Sequence, residues 1–232
     1  MIVLGFDTAT GATAVGLLDG AGTVRERRHE PAAGERPGHA VQLLALAHEL
    51  LEEAQIGFAD VDRIAVGLGP GTFTGLRIGV ATARALAQST GAELVGVSTL
   101  RALAVAAAPY APAGTGVLAV IDARRSEVFA AGWRDGEQVL EQVALAPALL
   151  ADRLRSEGRP WLAVGDGAIR FRSDLEGAGC RVAPDRSPQH SVGAGTICRL
   201  ALAATEATAH DLVVPDYLRP PDAARSRKHP PP

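Results

Sequence analysis

The sequence predicts an α/β protein built from two related lobes, each a mixed sheet with flanking helices. Short apolar runs ending in Asp or Gly alternate with helical periodicities along the chain, which is the pattern of layered strands and helices. The stretch PYAPAGTG at 109–116 is rich in proline and glycine and divides the chain near its middle. On both sides of it the order is the same: a strand ending in Asp, a meander, a helix, a strand ending in Gly, and a closing helix. The matched order points to an internal duplication.

In the first half, Ile2 to Phe6 is an apolar run ending at Asp7, and Ala12 to Leu18 is a second ending at the turn pair Asp19-Gly20. Thr23 to His29 is polar and reads as an edge strand beside it. From His39 to Gln55, Leu43, Leu44, Leu46, Ala47, Leu50, Leu51 and Ala54 fill one helical band, with Gln42, Glu49, Glu52 and Glu53 opposite. Arg63 to Leu68 is a strand that runs into the glycine-rich segment GLGPGTFTG, and Leu76 to Ser89 is the helix after it, with Thr74 as its expected N-cap. Glu93 to Val97 is a further strand, and Ser98 caps a helix through Ala107.

The second half begins with Val117 to Ile121, a strand ending at Asp122. Glu127 to Trp133 and Gln138 to Val143 form a hairpin about Asp135-Gly136. A helix over Pro147–Ser156, the strand Trp161–Val164 before Gly165-Asp166-Gly167, a helical piece near 170–176, a strand near 180–183 and a helix over Val192–Glu206 complete it. The proline-rich end, 216–232, reads as a flexible tail.

Composition narrows the function classes. The 232 residues are 47% hydrophobic and 21% charged, enough to bury a sizeable core. A formal net charge of -3 gives no general electrostatic reason to bind nucleic acid, although a local patch stays open. Cys180 and Cys198 have neither metal-like spacing nor the number a disulfide framework needs. The N-terminus reads as a strand rather than a signal peptide, and no apolar run is long enough to span a membrane, so a cytoplasmic location is expected.

The glycine-rich segment 67–75 invites comparison with phosphate-binding loops. A P-loop needs GxxxxGK[ST], and here the spacing is wrong and the Lys-Ser/Thr pair is missing. A dinucleotide fingerprint needs GxGxxG, and Thr72 stands where the third glycine belongs. What remains is a tight turn before a helix, with a possible anion or nucleotide cleft at Asp7, Thr8, Thr72, Thr74 and Asp122, all near strand ends or the helix start. No catalytic, metal or cofactor-binding residue is expected. His39 is followed four positions later by Leu43, so the paired histidines of a helical metal site are absent, and no GxSxG elbow is present.

The helix after the loop carries two apolar stripes. Leu76, Val80, Ala83 and Ala87 form one, and Ile78, Ala81 and Ala85 another. Covering one sheet needs only one stripe, which leaves the other for the neighbouring helix or for a partner. Leu43, Leu46 and Leu50 of the earlier helix, together with Leu76, Arg77, Val80, Ala83, Arg84 and Ala87, are the expected partner interface.

The segments FDTAT (6–10), AVGLLDG (14–20), IAVGLGPGTFTGLRIGVATARALA (64–87), GVSTLRALA (96–104), VIDARRSEVFA (120–130) and PDYLR (215–219) together resemble the TsaB family of bacterial proteins. These are non-catalytic subunits of the machinery that makes N6-threonylcarbamoyladenosine at position 37 of tRNAs reading ANN codons. The resemblance runs through nearly all of residues 1–220 and is weakest over 137–210. It implies an actin/Hsp70/sugar-kinase-like (ASKHA) fold with lobes at 1–105 and 106–215. It also implies a heterodimer with the catalytic subunit TsaD through the helices of the first lobe, an ATPase subunit TsaE joining the pair, a homodimer when alone, and tRNA as substrate of the complex. The related catalytic subunit holds a metal with an HxxxH pair, whose second position is Leu43 in this chain. Two alternatives remain: a nucleotide-binding, sugar-kinase-like enzyme of the same fold, and a stand-alone structural homodimer.

Overall fold

The computed structural model describes residues 1–32 and 34–219. The first sheet holds β1 (Val3–Asp7), β2 (Thr13–Leu18), β3 (Val24–His29), β4 (Arg63–Gly69) and β5 (Glu93–Ser98), in the order β3-β2-β1-β4-β5. The second holds β6 (Gly116–Arg124), β7 (Glu127–Arg134), β8 (Glu137–Leu145), β9 (Trp161–Val164) and β10 (Arg181–Val182), in the order β8-β7-β6-β9-β10. The two orders are one topology repeated: an antiparallel meander of three strands, then two parallel additions. The helices are α1 (His39–Glu53), α2 (Phe73–Thr90), α3 (Thr99–Ala107), α4 (Pro147–Glu157), α5 (Asp166–Arg170), α6 (Arg172–Gly177) and α7 (Ala194–Ala203). Among the described residues no helix is long and apolar enough to cross a membrane.

Alternation along the strands builds three apolar layers. On one face of the first sheet Leu4, Phe6, Val15 and Leu17 meet Leu43 and Leu50 of α1 and Val80, Ala83 and Ala87 of α2. From the other face Val3, Ala65 and Val95 join α3, α7 and the inner face of the second sheet in one continuous core. A third cluster, centred on Leu150, Leu154 and Trp161, fills the outer side of the second sheet.

The last helix belongs to the first sheet. The carboxylate of Glu26 on β3 accepts the backbone N–H of Gly195 at the start of α7. At its other end the buried guanidinium of Arg63 donates to the carbonyls of Ala201 at 2.5 Å and Ala204 at 3.1 Å, while Glu93 holds it from the far side. An anion at the N-terminus and a cation at the C-terminus both oppose the helix dipole favourably. Close seating needs Gly16, where a Cβ would lie 2.9 Å from the backbone of Ala194 and Gly195. Cys198 sits over Gly5 with its thiol directed at the carbonyls of Gly16 and Val3. Burial pushes that thiol up to about 12 and the Cys180 thiol to about 11, so neither serves as a nucleophile near neutrality.

Several expectations are corrected here. The second lobe does not run from 106 to 215, because α7 and the segment behind it return to the first sheet, where the N–H of Thr208 bonds to Leu94 and that of Asp216 to Leu68. Residues 216–219 are likewise fixed: Arg219 pairs with Glu127 at 2.8 Å, and the rest of the expected tail, 220–232, lies outside the described residues. Asp122 stands two residues inside β6 rather than after it, since pairing with β7 continues to Arg124 and Glu127. Thr72, not Thr74, is the N-cap of α2, because the extended backbone ends one residue before Phe73. The piece expected near 170–176 is two short helices, α5 and α6.

Seating α7 directly on glycine makes Gly16 sensitive to any side chain. Gly16→Val should lower stability by more than about 2 kcal/mol, read from the urea midpoint. Gly20→Ala, where a Cβ would meet nothing within 4 Å, should stay within about 0.5 kcal/mol.

Candidate functional site

The glycine-rich segment approaches a part of its own chain. A Cβ on Gly67 would stand 1.9 Å from a carboxylate oxygen of Asp7, one on Gly71 2.3 Å from the carbonyl of Ala9, and one on Gly75 1.9 Å from the carbonyl of Thr8. Gly79, a turn further into α2, leaves room for the Thr8 hydroxyl. Glycine recurs every fourth residue from 67 to 79, and each one faces the turn that leaves β1. Direct hydrogen bonds complete the contact: the N–H of Thr72 donates to Ala9 at 2.7 Å, and the hydroxyl of Thr8 to the carbonyl of Gly75 at 2.7 Å.

Asp7 lies at the centre of this contact and is buried. One carboxylate oxygen accepts the N–H of Ala9 at 2.8 Å, and the other accepts the hydroxyl of Thr99 at 2.8 Å. The same hydroxyl accepts the N–H of Gly69 at 3.2 Å, so β1, the glycine segment and α3 meet at one residue. Burial holds the Asp7 carboxyl above the ordinary range, against the lowering effect of those two hydrogen bonds. Thr99 was not among the residues singled out from the sequence, and its place at the first position of α3, after the Ser98 cap, was the available signal.

Asp122 stands at the corresponding strand of the second lobe. Its carboxylate takes Arg170 at 2.9 Å and Arg124 at 3.3 Å, and its own N–H donates to Asp166 at 3.0 Å. The five cleft candidates therefore separate. Thr72 and Asp122 line a cavity of about 210 Å³ between the lobes, together with Phe73, Arg124, Arg125, Phe129, Tyr217 and Arg219. Asp7 and Thr8 are buried outside that lining with their polar atoms engaged, and Thr74 is exposed and likewise outside it. A magnesium-bound phosphate needs carboxylate oxygens free to coordinate. Asp7 and Asp122 spend theirs on the chain's own donors, so the residues present do not fit that group.

At the positions of a helical metal pair stand a buried histidine bonded to Thr13 and a core leucine. His39 opens α1, buried, with Nδ1 2.8 Å from the hydroxyl of Thr13, and burial lowers its pKa. Leu43 is 1% exposed and packs in the first-sheet core. A helical His-Leu pair offers one nitrogen ligand where a metal requires several.

The expected partner residues need the same correction. Leu43, Leu46, Leu50, Leu76, Val80, Ala83 and Ala87 are all at most 9% exposed, because the heavier stripe of each helix lies against the sheet. Arg77 is exposed and Arg84 half-buried. What α1 and α2 leave outside is Val41, Leu44 and Ala45 on the first and Ala81 and Ala85 on the second, with Ile78 half-buried beside them. Val41 is 74% and Leu44 45% exposed.

Asp7 and His39, both buried, give stability terms of opposite sign. Asp7 binds its proton more tightly folded than unfolded, so wild-type stability should fall as pH rises from 3.8 through its raised native value. Asp7→Asn removes that term and should gain on the wild type over that window. His39 binds its proton less tightly folded, so stability should fall as pH drops through 6.5 toward its lowered native value, and His39→Gln should gain on the wild type there. Urea midpoints measured across pH for the three proteins check both signs.

The family model for TsaD, tRNA N6-adenosine threonylcarbamoyltransferase, matches residues 31–155. The tRNA threonylcarbamoyladenosine biosynthesis protein TsaB of Escherichia coli is 34% identical over 172 residues, covering 72% of each chain. Among solved structures, YeaZ from Pseudomonas aeruginosa superposes with a TM-score of 0.76 at 28% identity, over 94% of this chain and 99% of that one. A ROK hexokinase from Thermus thermophilus matches at a TM-score of 0.52 and 14% identity, over 87% of this chain and all of that one, and shares the two-lobed α/β fold. A repeated mixed-sheet topology, a glycine segment closed on its own strand end and these likenesses together show that the chain belongs to the TsaB family.

Proposed function

We propose that the chain is a non-catalytic subunit that binds TsaD, and supports N6-threonylcarbamoylation of adenosine 37 in tRNAs reading ANN codons. The observation that carries the reading is the state of the inherited cleft. Its carboxylates, Asp7 and Asp122, are bonded to Thr99 and Ala9 on one lobe and to Arg124 and Arg170 on the other. At the helical metal position, Leu43 belongs to the core. Groups so engaged hold a fold together and leave little to move a proton or bind a metal, whereas the E. coli relative is named for the tRNA modification pathway.

Docking in this reading uses the outer faces of α1 and α2. Val41, Leu44 and Ala45 lie on one helix and Ala81 and Ala85 on the other. Small residues at 81 and 85 permit a partner helix to approach closely. The same face, uncovered, supports a homodimer of the isolated chain. TsaE joins the assembled pair, and the work is cytoplasmic.

Leu44→Asp combined with Ala81→Asp should abolish copurification with TsaD while leaving the thermal midpoint within a few degrees of wild type. Retention of the complex by this folded variant counts against the face. By contrast, Leu76→Asp and Val80→Asp place a charge at positions 0% and 4% exposed and should cost more than about 3 kcal/mol of stability. Transfer to tRNA by the isolated chain supplied with threonylcarbamoyl-adenylate would contradict the non-catalytic role.

A further inference from the structure

A concentration of positive charge surrounds an aromatic pair at the mouth of the cleft between the lobes. The Arg77 guanidinium lies 3.9 Å over the Phe73 ring and donates to the Tyr217 hydroxyl at 3.2 Å. Phe73 and Tyr217 rings are 5.1 Å apart, with Phe73 half-buried and Tyr217 exposed. Arg124, Arg125 and Arg219 line the same cavity, and Arg170 joins it through Asp122. Five arginines thus stand against four carboxylates, Asp122, Glu127, Asp166 and Asp216, in a chain whose formal net charge is -3. Asp122 is shared by two of the arginines, and its side chain is only 6% exposed, so its negative charge is turned inward.

We propose that this mouth contacts tRNA, with the arginines on its phosphates and an unpaired base stacked at Tyr217; the inference rests on the function proposed above. Guanidinium groups suit phosphate, and an exposed aromatic ring suits a splayed base of any identity. A phosphorylated protein would use the charge but not the ring. Position supports RNA as well: Arg77 is one helical turn, about 6 Å, before Ala81 on the proposed docking face. An RNA held here would pass directly to the catalytic partner.

The test uses the assembled complex of this chain with TsaD, and unmodified tRNA as the probe, with Kd measured by fluorescence anisotropy against salt. Arg77→Ala with Arg124→Ala should weaken binding about tenfold and flatten the log–log salt slope by about 1.5. Tyr217→Ala should weaken it at least about fivefold, and Tyr217→Trp should restore it. Unchanged affinity and slope in variant complexes of normal stoichiometry would overturn the proposal. Loss of the complex itself on gel filtration would overturn it too, assigning the patch to a protein partner. Threonylcarbamoyl transfer by the wild-type complex, assayed on the same samples, tests the proposed function separately: wild-type transfer with unaltered tRNA binding in the variants sinks only the RNA contact.

Discussion

The contact between the glycine-rich segment and residues 7–9 decides what this cleft can be. In layered α/β folds the carboxyl edge of the strands is where ligands gather, because backbone donors and helix N-termini converge there. Here the space next to β1 is taken by the chain itself. Gly67, Gly71 and Gly75 come so near that a Cβ on any of them would overlap Asp7, Ala9 or Thr8. Two backbone-directed hydrogen bonds and the Asp7–Thr99 pair then fix the contact in place. The same contact gives α2 a rigid launching point. The direction of the helix that begins at Phe73 is set by how closely glycine lets the segment lie on β1.

A second constraint ties the lobes together. Because α7 follows the second sheet in sequence but packs on the first, the chain crosses between the lobes more than once. Glu26 and Arg63 hold its two ends with charges that complement its dipole. Between those ends Ile197, Cys198 and Ala201 add to the core shared with α3 and both sheets. Movement of one lobe against the other would have to disturb this core.

Much of this was legible in the sequence. Short apolar runs bounded by turn residues marked four strands of the first sheet and the polar stretch 23–29 its edge strand, and the band on 39–55 and the twin stripes on 76–89 marked α1 and α2 with ends shifted by a few residues. The glycine segment departs from phosphate-binding motifs in its spacing, in lacking a Lys-Ser/Thr pair and in placing Thr72 where a third glycine belongs. What the pattern could not give was which stripe faces inward. Leu76, Val80, Ala83 and Ala87 look as sticky as any interface, and they are buried because the larger apolar area goes to the sheet, leaving the smaller Ala81 and Ala85 outside. Nor does periodicity reveal long-range returns. The placing of α7 depends on Gly5, Gly16, Glu26 and Arg63, residues up to about two hundred positions away that have no local reason to be related. The aromatic and arginine cluster escaped for the same reason, since Tyr217 meets Phe73 only after the C-terminal segment has crossed back.

Amide hydrogen exchange at Gly69 and Thr72 tests the central claim most directly, because those N–H groups bond to Thr99 and Ala9 across the contact. If the segment is a packed structural element, both amides should exchange only through global unfolding, with the protection of core residues such as Leu4 and Phe6 in β1. Exchange orders of magnitude faster, through local opening of the segment while β1 stays protected, would contradict it and restore a loop free to receive a ligand.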